Sequence, residues 1–184
     1  MRFKEHLELV DKHAFLSPSN YHWVNYDYQK LTTRYTTAMA AKRGTDLHAL
    51  AHEAIRLGVR FGRGHHSLTA YVNDAIGWKM TCEQPLFYSM NCFGTADTIS
   101  FRKEKLRIHD LKTGVVKGSF KQLEVYAAIF CLEYGVDPYT IEILLRIYQK
   151  DEVLEHEPSP EVITEIMEKI VDFDNQIEHL RSLE

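Results

Sequence analysis

Cysteine is scarce in this chain. Its 184 residues hold three, Cys82, Cys92 and Cys131, an odd number without metal-ligand spacing. That excludes a disulfide framework and a cysteine zinc site, and it predicts free thiols in a reducing, cytoplasmic setting. No apolar run approaches the roughly 20 residues needed to cross a membrane. The N-terminal stretch, with Glu5, His6, Glu8 and Asp11, lacks an apolar signal core, so no membrane partner is expected. A Gly-x-x-x-x-Gly-Lys-Ser/Thr phosphate loop is absent, and any nucleotide-driven motor would have to be another chain. Internal repeats and low-complexity tracts are missing too.

What is present is ordinary in bulk and uneven in detail. Hydrophobic content of 45% and charged content of 26% suit one soluble domain with a substantial core plus an appendage. The net charge of −4 hides an asymmetry. Residues 151–184 carry 11 Asp and Glu against 2 Lys and Arg, a balance of −9; residues 1–150 carry 15 against 20, a balance of +5. A basic body with an acidic tail is compatible with a polyanionic ligand.

Hydrophobic periodicity divides the chain into three parts: an N-terminal helical and loop segment over 1–43, a core over 44–150, and an amphipathic helix over 159–183. In the first, a turn at Ser17-Pro18-Ser19-Asn20 is followed by Tyr21, Trp23, Tyr26 and Tyr28. Residues 44–58 read as a helix with Thr45 as N-cap and Gly58 at its end, and 67–78 as a second. Strands are predicted over 83–90, 92–101 and 105–112, then a helix over 120–134 and a strand over 140–148. The order predicts an α/β (α+β) fold, a mixed sheet flanked by helices. Beyond Pro158-Ser159-Pro160, Ile163, Ile166, Ile170, Phe173, Ile177 and Leu180 recur at spacings of 3, 4, 3, 4, 3. That heptad seam has two readings, packing against this chain's own body or self-association.

The chemistry concentrates on one predicted hairpin. With Lys103 and Glu104 at its tip, Phe101 pairs with Leu106, Ile99 with Ile108, and Asp97 with Asp110. Opposed residues have Cβ atoms roughly 5 Å apart, close enough for two carboxylates to grip one cation. Lys112 lies two residues beyond Asp110 and points to the same face. A solvated salt bridge on a sheet surface is the plain alternative. Against it, both acids emerge from apolar strands, where an unneutralised charge is costly, and small residues flank them at Gly94-Thr95 and Thr113-Gly114.

Taken together, Gly44-Thr45-x-x-His48, Gly94-Thr95-Ala96-Asp97, Asp110-Leu111-Lys112-Thr113-Gly114 and Gln122-x-x-x-Tyr126 resemble the RecB-like branch of the PD-(D/E)XK nucleases. The likeness is closest to stand-alone phage and prophage exonucleases related to CRISPR adaptation nucleases, and it covers residues 44–148. It implies a restriction-endonuclease-like fold and a metal-dependent DNA exonuclease of phage recombination or end processing, working in the bacterial cytoplasm. A structure-specific or restriction-like endonuclease, and a catalytically silent DNA-binding module of the same fold, are the alternatives. By the resemblance, Asp97, Asp110, His48 and the Leu111 carbonyl hold one or two Mg²⁺ or Mn²⁺ ions, the imidazole favouring manganese. Lys112 orients or deprotonates the attacking water or stabilises the charged transition state. Gln122 and Tyr126, one turn apart on a helix, position DNA or the lysine; an ordinary amphipathic helix is the other reading of that pair. Iron–sulfur members of the branch carry one cysteine before the core and three after it. Here none follows Cys131, and no iron–sulfur cluster is expected.

Other residues carry weaker signals. Lys117, Ser119 and Lys121 follow the catalytic strand, where they suit phosphate contacts or a plain solvated surface equally. Arg63 and His65-His66 present the same choice. His48 and His52 share a helix face beside Glu53, but the His-Glu-x-x-His order of a zinc hydrolase is absent. Partners implied by the resemblance are single- or double-stranded DNA ends, a strand-annealing or single-strand-binding protein, and further copies of this chain through the C-terminal helix.

Overall fold

In a computed structural model, residues 14–62, 66–114 and 118–183 are described. The chain divides into two compact units, Met1–Arg43 and Gly44–Glu184. The second holds a five-stranded sheet in the order β1-β2-β3-β4-β5: Thr81–Ser89, Cys92–Arg102, Lys105–Lys112, Glu142–Gln149 and Glu152–His156. All neighbours are antiparallel except β3 and β4. The helices are α1 (Tyr28–Leu57), α2 (His66–Gly77), α3 (Lys121–Tyr134) and α4 (Pro160–Arg181). This is the mixed sheet with flanking helices and a C-terminal helix that the sequence predicts.

Two cores sit on the sheet. Ile99, Leu106, Ile108, Leu145 and Ile147 pack with Leu123, Ala127 and Phe130 of α3 and with Ile163 of α4. Tyr71, Val72 and Ala75 of α2 pack with Ala51, Ile55, Leu111 and Tyr148 in the other. Lys103 and Glu104 have φ of 50° and 56°, the left-handed pair that closes a two-residue hairpin. Phe101 pairs with Leu106 and Ile99 with Ile108, as the predicted register requires.

The first helix departs from its expected start, and two further features are added. Helix α1 does not begin at Thr45 but runs through Gly44 from Tyr28. A Cβ on Gly44 would lie 2.5 Å from Thr113 Oγ1, so this glycine marks a close approach, not a helix boundary. Strand β5 is additional to the predicted strands; it follows a turn at Lys150-Asp151, with φ of 50° and 63°. The C-terminal seam is used unequally. Ile163 is buried and Ile166 and Ile170 pack on the core, while Phe173, Ile177 and Leu180 are exposed. Among the described residues, no helix is long and apolar enough to cross a membrane.

Candidate active site

The β2–β3 ladder ends at Thr98↔His109. Asp97 and Asp110 lie one step further on, so the pair expected between them is not part of the ladder. Side-chain alternation also breaks here, since Ala96 and Ile99 enter the same core although three residues apart. On β1 the break falls at Glu83, whose φ is 49°. Cys82 packs on one core and Leu86 on the other. The acids therefore stand at a fork where the strands part.

Each acid is held by a different layer. Asp97 Oδ2 lies 3.5 Å from His48 Nδ1 on α1 and accepts the Leu111 N–H at 3.3 Å. On the other side, Lys112 Nζ donates to Asp110 Oδ1 at 3.0 Å and to Gln122 Oε1 at 3.2 Å. Gln122 Nε2 in turn donates to the Tyr126 hydroxyl at 3.4 Å. Burial raises the Asp110 carboxyl above its ordinary range, and the charge of Asp97 adds to that, with Lys112 and His48 opposing. Asp110 Oδ2 is buried without a hydrogen-bond partner.

That orphaned oxygen is the strongest sign of what the site accommodates. A buried acceptor left unpaired is costly, and hard carboxylate oxygens suit Mg²⁺ or Mn²⁺. Among the described residues, no three His, Cys, Asp or Glu side chains converge as a finished ligand set. Mg²⁺ does not require one; it is commonly held by one or two carboxylates, with water and substrate phosphate supplying the rest. The residues present fit such an ion.

Several contacts around the site join residues that local spacing does not connect. A Cβ on Gly94 would sit 2.9 Å from the Tyr126 ring, and one on Gly118 would sit 3.3 Å from Lys112 Cγ. Gln149 brackets the loop that follows Lys112, donating to the Gly114 carbonyl at 2.7 Å and accepting the Gly118 N–H at 3.1 Å. A glutamine closing a largely apolar, buried strand was the available signal. His52, 6.0 Å from His48 between ring centroids, places Nδ1 3.2 Å from Glu83 and Nε2 3.4 Å from the Tyr71 hydroxyl. Nothing in local spacing joins those three. A cavity of about 250 Å³ is lined by Leu47, Leu68, Leu111, Lys112 and Asp151 among others.

The weaker candidates are placed differently. Lys121 pairs with Glu124 at 2.8 Å, and its N–H donates to Ser119 Oγ at 3.3 Å. Lys117, Arg63 and His65 lie outside the described residues. Glu53 pairs with Arg56 on the exposed face of α1. No protein-family model, no curated protein and no solved structure matches this chain.

Proposed function

We propose that this chain is a divalent-metal-dependent deoxyribonuclease of the RecB-like PD-(D/E)XK type, hydrolysing phosphodiesters from DNA ends. The observation that carries the reading is Asp110 at the strand fork, one oxygen on Lys112 and the other buried and unpartnered. Asp97, Asp110 and His48 are the residues that would hold the ion. Bound there, Mg²⁺ or Mn²⁺ supplies positive charge against the phosphoryl oxygens and acidifies the attacking water.

The chain's own groups do the rest. An ammonium has three donors; Asp110 and Gln122 take two on Lys112, leaving one for the incoming water or a phosphoryl oxygen. Gln122, steadied by Tyr126, fixes the direction of that third N–H. His48 and the Leu111 N–H flank Asp97, which limits the reorganisation its carboxylate must undergo in the reaction. Water adds to phosphorus, the bond to one ester oxygen breaks, and that oxygen departs as an alcohol with the proton released from water.

The test uses end-labelled DNA with Mn²⁺ or Mg²⁺. Asp110→Ala or Lys112→Ala removes cleavage while circular dichroism stays native, the loss being at least about 10²-fold if the lysine acts in proton transfer. Full activity in either variant overturns the assignment. A covalently closed circle separates the modes of action, since an exonuclease leaves it intact and an endonuclease opens it.

A further inference from the structure

The N-terminal unit carries a second concentration of chemistry. Residues 14–43 contain six aromatic side chains and four Lys and Arg against a single acid, Asp27. A 3-10 segment, Pro18–Asn25, buries none of its residues. Tyr21 is 63% exposed and Tyr28 90%. A cavity of about 630 Å³ lies among Phe15, Trp23, Tyr26, Lys30 and Arg34, with no acidic side chain in its described lining. Side-chain contacts link its walls: Trp23 Nε1 donates to the Ser17 carbonyl at 3.0 Å, Lys30 Nζ sits 4.9 Å from the Tyr26 ring centre, and Phe15 meets Tyr35 edge-on at 5.3 Å.

Half-buried rings that line an open cavity, beside cations with no acidic side chain in its described lining, are what an unpaired nucleic-acid strand requires. Its bases have free faces to stack on aromatic side chains, and its phosphates pair with Lys and Arg. A duplex keeps those base faces inside its own stack. An acidic peptide would use the cations and leave the rings idle, and an apolar peptide would do the reverse. We propose that residues 14–43 form a binding platform for single-stranded nucleic acid, with bases against Trp23 and Tyr26 and phosphates on Lys30 and Arg34. The role, delivery of an unpaired strand for cleavage, rests on the nuclease reading; the binding chemistry is read from this unit alone.

The experiment uses the full chain in a chelator, so that no bond is cut, with a fluorescein-labelled oligothymidylate followed by anisotropy across a salt series. Affinity should fall with salt, and Lys30→Gln and Arg34→Gln should each reduce the log–log slope by about 0.7, the value for one phosphate contact on a single strand. Tyr26→Leu should weaken binding about tenfold, the loss of one stacked base. The matching duplex should bind at least about tenfold more weakly by the same reasoning. Both glutamine replacements are of exposed side chains, so the slopes are readable even if Tyr26→Leu perturbs the unit. Unchanged slopes, equal binding of duplex and single strand, or displacement by polyglutamate of equal charge would overturn the platform. Hydrolysis of bis(4-nitrophenyl) phosphate, which has no strand to bind, separates the two proposals. Its absence in the wild-type chain would count against the nuclease while leaving the binding result standing.

Discussion

Asp110 carries opposing demands. Its carboxyl is raised because burial and Asp97 penalise the charge. A raised folded-state value means that the metal-free fold is favoured by this group at low pH and loses that contribution as pH rises through it. A cation relieves the penalty at neutral pH. Asp110→Asn should therefore melt higher than the wild-type chain without metal, and about 1 kcal/mol would appear as roughly 2–4 °C in a chain of this size. Added Mn²⁺ should raise the melting temperature of the wild-type chain and leave the variant unmoved; equal shifts in both would contradict the account. The hairpin register was legible as far as Ile99 opposite Ile108, because period-two alternation and a two-residue turn fix it; the parting of the strands at Asp97 and Asp110 was not. The glycine approaches were not, because a missing Cβ says nothing of what lies opposite. Gly44→Ala should destabilise by pressing on Thr113, and Thr113→Ala should restore most of the loss. A double-mutant cycle of thermal unfolding reads that coupling, and simple additivity would contradict it.

Among the elements, β3 links the site to a buried polar layer. His109 points away from Asp110, with Nδ1 3.2 Å from the Tyr148 hydroxyl, and Tyr148 donates to Asp74 at 2.8 Å. Burial first, then Arg146 and Arg107, lower the His109 imidazole from 6.5 to about 3. A lowered folded-state value gives stability that is present above pH 6.5 and lost as pH falls toward 3. Urea midpoints should therefore decline over that window, and His109→Gln should flatten the decline; an unchanged slope would contradict the role given to this ring. Strand β5 escaped the sequence reading because Lys150-Asp151 lacks the Asn-Gly or Asp-Gly signature of a tight hairpin. The seam of α4 was legible as a pattern, but periodicity cannot say how far a partner surface extends. Ile163 is fully buried against the core and Phe173 is 67% exposed. Ile163→Ala should cost about 2–5 kcal/mol and Phe173→Ala under about 0.5 kcal/mol. Equal costs would show that the outer half of the seam is covered.

For the whole molecule, the alternation of helices and strands was enough to give a mixed sheet between helices, and charge counting gave a basic body with an acidic tail. What stayed hidden was long-range: Gln149 around the loop after Lys112, and Glu83 with His52 and Tyr71, join residues that share no local pattern. The acidic α4 lies against α3 and is tied to the β1–β2 turn, where Ser89 and Asn91 donate to Asp174 at 2.5 and 2.8 Å. The acid-rich segment is thereby anchored on the α3 side of the sheet, while His48 approaches Asp97 from α1. The proposed function requires Asp97, Asp110 and Lys112 to act together on a phosphodiester. Its most direct test is a time course with 5′- and 3′-labelled single- and double-stranded DNA in Mn²⁺, comparing the wild-type chain with Lys112→Met. The account predicts progressive shortening from one labelled end by the wild-type chain and none by the variant. Intact DNA with the wild-type chain, or equal shortening by both, would contradict it.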